Sequence, residues 1–539
     1  MKSVLIFVLI LLIGCDISEN SSSKQAETFS ALVDKDNHWY QSAANKIEQN
    51  RLIAETIQNH QGAAKNIILF VGDGMSLTTV TASRIFDGQQ QGMLGEENNL
   101  SFDHFPFSGL AKTYAVDTQV PDSASTMTAI ISGVKTNKGA VGINESVVRG
   151  DCSTQVGNEV ISALDLAELA GLSTGIVTTT RVTHATPAAT YAKSPDRDWE
   201  DPSKMPQQAI ADGCVDIAAQ LIEYQSSLNA RYRGAKTNGI EVVMGGGRRH
   251  FLPETPATDN KGKRNRNDGR NLISEWKAQY PKGLFLNNRA EFDQANFAGA
   301  QRVFGLFNKT HMRFEADRNT KKIKEPSLSE MTDKAIQVLE KNPKGFFLMV
   351  EAGRIDHAHH AGNAYNALSD TVEFAKAVEV ALQKTNVKDT LIIVTADHGH
   401  VFTMAGYPKR GNPILGKVVS LGKTVPELAF DNLPYTTLGY ANGRGHRHLG
   451  LSTDAEDCYH EPVFSGRANL TGLDTTQSGF FQESLIPLES ETHSGEDVAI
   501  YASGPGAHLI SGSNEQTIIF HAINHAGGLL AKATKALKK

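Results

Sequence analysis

Short uninterrupted apolar runs alternate along this chain with longer stretches of helical periodicity. Asn66-Ile67-Ile68-Leu69-Phe70-Val71 is rich in β-branched residues, and similar runs recur at 175–179, 240–244, 346–350 and 391–395. Residues 160–170, 209–224, 329–341 and 367–384 carry apolar positions at helical spacing, as does 41–60 through Ala43, Ile47, Ala54 and Ile57. Continuous apolar strands separated by helices predict a single large α/β domain over 41–539, with a mostly parallel central sheet flanked by helices on both faces. Two stretches break the rhythm and read as insertions: 252–330, polar and rich in Lys, Arg and Asn, and 401–490, rich in Gly, Pro and Thr. In such folds ligands bind beyond the carboxyl ends of the strands.

The N-terminus follows another pattern. Lys2 precedes an apolar run over 4–13, the layout of an export signal and too short to span a bilayer as a helix. The run ends Leu12-Ile13-Gly14-Cys15, which resembles a bacterial lipobox. That likeness implies a signal peptide over 1–14 and acylation of Cys15, and the polar stretch from Asp16 to Lys24 reads as part of a flexible tether over 15–40. The expectation is an exported lipoprotein, periplasmic or at the cell surface and held to a membrane by its lipid. An oxidising compartment permits disulfides. Apart from Cys15 there are Cys152, Cys214 and Cys458, which allow one bridge in any of three pairings.

Composition narrows the field without naming a function. With 539 residues, 40% hydrophobic and 21% charged, the chain is neither disordered, collagen-like nor multiply membrane-spanning. A net charge of −6 argues against a general nucleic-acid binder, which needs a basic face.

Chemistry concentrates after the apolar runs. The first is followed by Gly72-Asp73-Gly74, the second by Thr183-His184-Ala185-Thr186-Pro187, the fourth by Glu351 to His360, and the fifth by Asp397-His398-Gly399-His400. Glu491-Thr492-His493-Ser494-Gly495-Glu496 lies further on. One such residue would be a helix cap or a core histidine; carboxylates and imidazoles at repeated strand ends converge on one crevice. Bare negative charge there is costly, and divalent cations offset it. His and Asp ligands without cysteine suit zinc with open positions, whereas Asp, Glu, Thr and water suit magnesium. Asp356 and His360 are four apart, so a helical turn puts them on one face. Ser123 follows Pro121, with Ala124, Met127, Ile131 and Val134 at helical spacing after it. It would sit at a helix N-terminus, where free amides favour an anion such as phosphate. Arg197 is a candidate bidentate clamp for phosphate oxygens.

The set Gly72-Asp73-Gly74-Met75, Asp122-Ser123-Ala124, His184-Ala185-Thr186-Pro187, Glu351 to His360, Asp397-His398-Gly399 and Glu491 to Glu496 resembles the alkaline phosphatase family over about 65–505. Thr180 to His184 and Gly353 to His357 are worded as in the animal and marine-bacterial branch. The resemblance implies hydrolysis of phosphate monoesters through a phosphoserine at Ser123, with Arg197 binding phosphate. It implies two zinc ions and one magnesium ion per subunit. Asp356, His360 and His493 would hold the first zinc, and Asp73, Asp397 and His398 the second, beside Ser123. Asp73 would bridge to magnesium with Thr186 and Glu351, and His184 would tune that ion. The likeness further implies a Cys152–Cys214 disulfide with Cys458 free, a loop-rich crown over 401–490, and a homodimer embraced by 28–60. A calcium site known in the animal branch is not expected, because Asn308 stands in place of a carboxylate. Rival enzyme classes fit less well. A sulfatase needs Cys/Ser-x-Pro-x-Arg, absent around Ser123, and diesterases commonly lack the magnesium set that Thr186 and Glu351 complete. A non-catalytic lipoprotein would have no reason to fill every one of these positions.

Overall fold

In a computed structural model of the chain, the described residues are 63–254, 266–318, 324–450, 462–464 and 466–538, with positions 41, 45, 47 and 52. The expected signal peptide, the tether, Cys15, Cys458 and most of the 41–60 helix lie outside them.

Among the described residues ten strands build one sheet. In chain order they are β1 (Asn66–Gly72), β2 (Phe107–Lys112), β3 (Ser173–Arg181), β4 (Val242–Gly246), β5 (Leu284–Leu286), β6 (Val303–Leu306), β7 (Phe346–Ala352), β8 (Thr390–Ala396), β9 (Val498–Ser503) and β10 (Gly512–Glu515). Across the sheet the order is β10-β2-β9-β8-β1-β7-β3-β4-β6-β5. From β8 to β5 every pairing is parallel. β9 runs antiparallel to both β8 and β2.

The apolar runs are continuous because both faces of the sheet are covered. Ile67 faces Gly527 of the helix Ile518–Gly527, while the Phe70 ring packs edge-on against Phe374 of the helix Ala364–Lys384 at 5.8 Å. Residues three apart on a strand point to opposite sides, so these two helices lie on opposite faces. The helices Leu328–Leu339 and Ala163–Ala170 each begin with a capping box, Ser327 with Glu330 and Ser162 with Asp165.

Three expectations change. The periodic stretch 209–224 is not one helix but Gln207–Ala211, Ile217–Ile222 and the start of Tyr224–Arg231. Gly213 takes φ +90°, Cys214 is bridged to Cys152, and Asp216 caps a new helix by accepting the Ala219 N–H. The helix Ser123–Ser132 stops at Gly133 in the left-handed region, so Val134 falls beyond it. The 252–330 stretch, read as a surface insertion, also supplies β5 and β6 to the sheet.

Within 401–490, Phe402–Met404, Leu438–Gly443 and Ser484–Pro487 form a separate three-stranded sheet. The disulfide Cys152–Cys214, with Cα atoms 5.9 Å apart, closes a loop of 62 residues. Among the described residues no helix is long and apolar enough to cross a membrane.

Candidate active site

Parallel register aligns the carboxyl ends of the central strands. Gly72 is level with Ala352 of β7 and Ala396 of β8, and Glu351 is level with Val71 and Thr178. Asp73 and Asp397, one residue further along, therefore emerge side by side with Glu351 behind them. The helix Arg354–Ala361 starts directly after β7 and places Asp356 and His360 on one face. The short strands Gly399–His400 and His493–Ser494 pair antiparallel and carry His493 across from the far end of the chain.

The expected residues meet in three overlapping groups. In the first, one ligand atom from each of Asp73, Asp397 and His398 lies within 4.8 Å of the others. Ser123 belongs here: its Oγ–H donates to Asp73 Oδ1 at 3.3 Å, and the Oγ lies 3.1 Å from His398 Nε2. Asp397 is oriented by the N–H groups of Gly74 and His398 at Oδ1 and by the Thr126 hydroxyl at Oδ2. In the second, Asp356 Oδ1 lies 3.2 Å from the Nε2 atoms of both His360 and His493. The outer nitrogens of these rings donate to backbone carbonyls, His493 Nδ1 to Pro121 at 2.8 Å and His360 Nδ1 to Glu491 at 2.6 Å. Such outer contacts fix the ring and leave Nε2 for a metal. In the third, ligand atoms of Asp73, His184 and Glu351 lie within 4.8 Å of one another, with Thr186 beside Glu351.

Burial and mutual repulsion make this cluster unfavourable as bare side chains. Desolvation first, then Asp397, Asp356 and Glu351, push the Asp73 carboxyl well above its usual range. Burial pushes Glu351 up to about 7, although the Thr178 and Thr180 hydroxyls oppose the rise. Asp356 behaves oppositely. Burial would raise it, but His360 and the hydrogen bonds from the ring of imidazoles hold it well below the usual range. Asp73 Oδ2, Thr186 Oγ1 and Glu351 Oε1 are buried and make no hydrogen bond of good geometry, although the Thr186 hydroxyl is close enough to Glu351 to favour its ionised form. Three orphaned hard oxygens in one place fit a divalent cation such as magnesium, and the His and Asp donors of the other two groups fit zinc.

Ser123 opens the helix Ser123–Ser132, whose cap Asp122 accepts the Ser125 N–H. Arg197 donates through Nη1 to Asp122 at 2.9 Å and through Nη2 to His184 Nε2 at 3.1 Å. Ser123, Arg197 and His184 thus lie beside the carboxylates and imidazoles of the three groups.

Two further residues carry no role in the sequence reading. His400 Nε2 lies 2.9 Å from Asp356 Oδ1, and the Glu491 carboxylate lies 2.6 Å from His400 Nδ1. Both stand beside expected ligands in the sequence, but only the pairing of their strands reveals the contact. Gly74 is required by the same neighbour: it takes φ +70°, and a Cβ there would come within 2.4 Å of the His400 ring.

Fold and donor set together define a metal-binding hydrolase, and known proteins agree. A family model described as alkaline phosphatase matches residues 64–529. The tissue-nonspecific alkaline phosphatase of Homo sapiens is 42% identical over 501 residues, covering 92% of this chain and 89% of its own. The alkaline phosphatase of Gadus morhua is 41% identical over 498 residues, covering 91% and 96%. Among solved structures, a mutant of the TAB5 alkaline phosphatase with Mg bound in its M3 site superposes with a TM-score of 0.57 at 23% identity, over 87% of this chain and 99% of that one. This chain belongs to the alkaline phosphatase family, and it hydrolyses phosphate monoesters.

Proposed function

We propose that Ser123 is the nucleophile, that Arg197 binds the transferring phosphoryl group, and that two zinc ions and one magnesium ion complete the site. The observation that carries this reading is the Ser123 hydroxyl, held between Asp73 and His398 at a helix N-terminus. Asp356, His360 and His493 would hold one zinc; Asp73, Asp397 and His398 the other; and Asp73, Thr186 and Glu351 the magnesium, with His184 beside it. When bound, these cations lower the pKa of oxygen nucleophiles and stabilise charge on attacking and leaving oxygens.

The chain's own groups do the rest. Ser123 Oγ gives up its proton and forms the new bond to phosphorus as the ester P–O bond breaks, and the leaving oxygen takes up a proton and departs as the alcohol. The free amides at the start of Ser123–Ser132 and the guanidinium of Arg197 take the non-bridging oxygens. Asp122 holds Arg197 in place. Water then attacks the phosphoserine, releasing inorganic phosphate and restoring the hydroxyl. Positioning and charge carry most of the catalysis in phosphoryl transfer.

The Ser123→Ala variant tests the assignment. It loses turnover by at least about 10³-fold while keeping its zinc and magnesium. Near-native turnover contradicts it. Comparing p-nitrophenyl phosphate with its bis ester, with and without chelator, checks that the monoester is preferred.

The chain is exported and anchored by lipid at Cys15. The support is the lipobox-like Leu12 to Cys15, and loss of detergent-phase partitioning in Cys15→Ala tests it. It also forms a homodimer through the crown-like 401–490 region, which exposes Tyr407, Leu421 and Phe430. Sedimentation equilibrium showing a monomer at micromolar concentration contradicts that.

A further inference from the structure

The buried side chain of Glu491 belongs to none of the ligand sets above, yet the residue touches the site at several points. Its Oε2 lies 2.6 Å from His400 Nδ1, and its Oε1 accepts the Val401 N–H at 2.9 Å. Its backbone carbonyl accepts from His360 Nδ1 at 2.6 Å. The other nitrogen of His400 lies 2.9 Å from Asp356 Oδ1. A line of contacts therefore runs from Glu491 through the His400 ring to Asp356, while the Glu491 backbone holds His360.

We infer that Glu491 is a positioning residue for the zinc ligands Asp356 and His360: its carboxylate locks His400 against Asp356, and its carbonyl aims the His360 ring. An imidazole contacted at one nitrogen alone can turn about its Cβ–Cγ bond. Contacts at both nitrogens remove that freedom, so the Asp356 oxygen is presented in one orientation. Losing an outer contact of this kind typically costs about 10–100-fold in metal affinity. The backbone contact to His360 survives any substitution, so the side-chain effect runs chiefly through His400, at 2.6 Å, and only weakly through His360 Nδ1, which lies 3.8 Å from Glu491 Oε2.

The inference rests on Asp356 and His360 as zinc ligands, and the experiment separates the two. Metal-free wild type, Glu491→Ala, Glu491→Gln and Asp356→Ala are reloaded with Zn²⁺ in competition with a chelator, and with Co²⁺ to read the visible ligand-field spectrum. Glu491→Ala weakens zinc binding about 10–100-fold and changes the cobalt spectrum. Glu491→Gln stays near wild type, because its amide oxygen accepts from Val401 and its N–H reaches His400 Nδ1. Asp356→Ala loses more than either. Wild-type affinity and spectrum in Glu491→Ala, beside a loss in Asp356→Ala, overturn the positioning role. Wild-type affinity in Asp356→Ala overturns the ligand assignment beneath it. If circular dichroism shows that Glu491→Ala does not fold, Glu491→Asp, which withdraws the carboxylate by one methylene, carries the same prediction.

Discussion

Arg197 Nη1 donates to Asp122 Oδ2 at 2.9 Å, tying the guanidinium proposed to bind phosphate to the residue that caps the helix of Ser123. Burial would raise the Asp122 carboxyl, but Arg197 outweighs it and holds the group well below the usual range. The two duties can be separated. Asp122→Ser keeps a capping oxygen and frees the guanidinium, so phosphate inhibition weakens about tenfold, the loss of roughly one charge-assisted hydrogen bond. Asp122→Ala adds about 1 kcal/mol of lost stability. Phosphate inhibition constants and thermal unfolding of both variants check this, and unchanged inhibition in Asp122→Ser counts against the tie.

Metal removal should cost stability as well as activity. Without cations, burial and neighbouring carboxylates press on Asp73 and Glu351, and three buried oxygens stay unpaired. Ligand that binds only the folded chain at 100 times its Kd stabilises it by about 2.7 kcal/mol. A chelator therefore abolishes turnover and lowers the melting temperature, and returning zinc and magnesium restores both. A melting temperature indifferent to chelator would separate the acid cluster from metal binding.

A second buried acid pair, away from the catalytic crevice, gives a pH signature. Burial, then the neighbouring Glu241, push Glu168 up to about 8 from an ordinary 4.5. The folded state therefore holds this proton more tightly than the unfolded state. The stability it contributes is complete below the unfolded value and is lost as pH rises through about 8. Glu168→Gln can still meet the Thr174 hydroxyl and the Gly239 N–H, which now contact the carboxyl at 2.6 and 3.1 Å. It should flatten the fall in urea midpoint between mildly acidic and alkaline buffer and raise the alkaline midpoint. An identical slope in wild type and variant removes Glu168 as its source.

The bridge between Cys152 and Cys214 restrains the segment that carries Arg197. On the chain-entropy account a loop of 62 residues is worth about 4 kcal/mol. Cys214→Ser, or reduction, lowers the unfolding midpoint and weakens phosphate inhibition. Denaturant curves with and without reductant measure the first effect, and an unshifted midpoint argues that the bridge adds nothing.

Much of this was legible in sequence, for physical reasons. The apolar runs at 66–71, 346–350 and 391–395 are continuous because β1, β7 and β8 lie between two helical layers, and the acids Asp73, Glu351 and Asp397 stand at their carboxyl ends. Asp356 and His360 were readable as a pair because four residues make one helical turn. Other features were hidden. β5 and β6 are only three and four residues long and sit in a polar stretch. The break in 209–224 depends on Gly213 and a disulfide partner 62 residues away. His400 and Glu491 could be seen in sequence, but their contact exists only where strands from 399–400 and 493–494 meet.

The proposed mechanism turns on one covalent event at one hydroxyl. Enzyme mixed with a phosphate monoester and quenched in acid can be digested and its peptides weighed. The expected result is a single phosphoryl group on the peptide that contains Ser123, absent from Ser123→Ala. Full turnover with that peptide unmodified, or with the phosphoryl group on another residue, would contradict it.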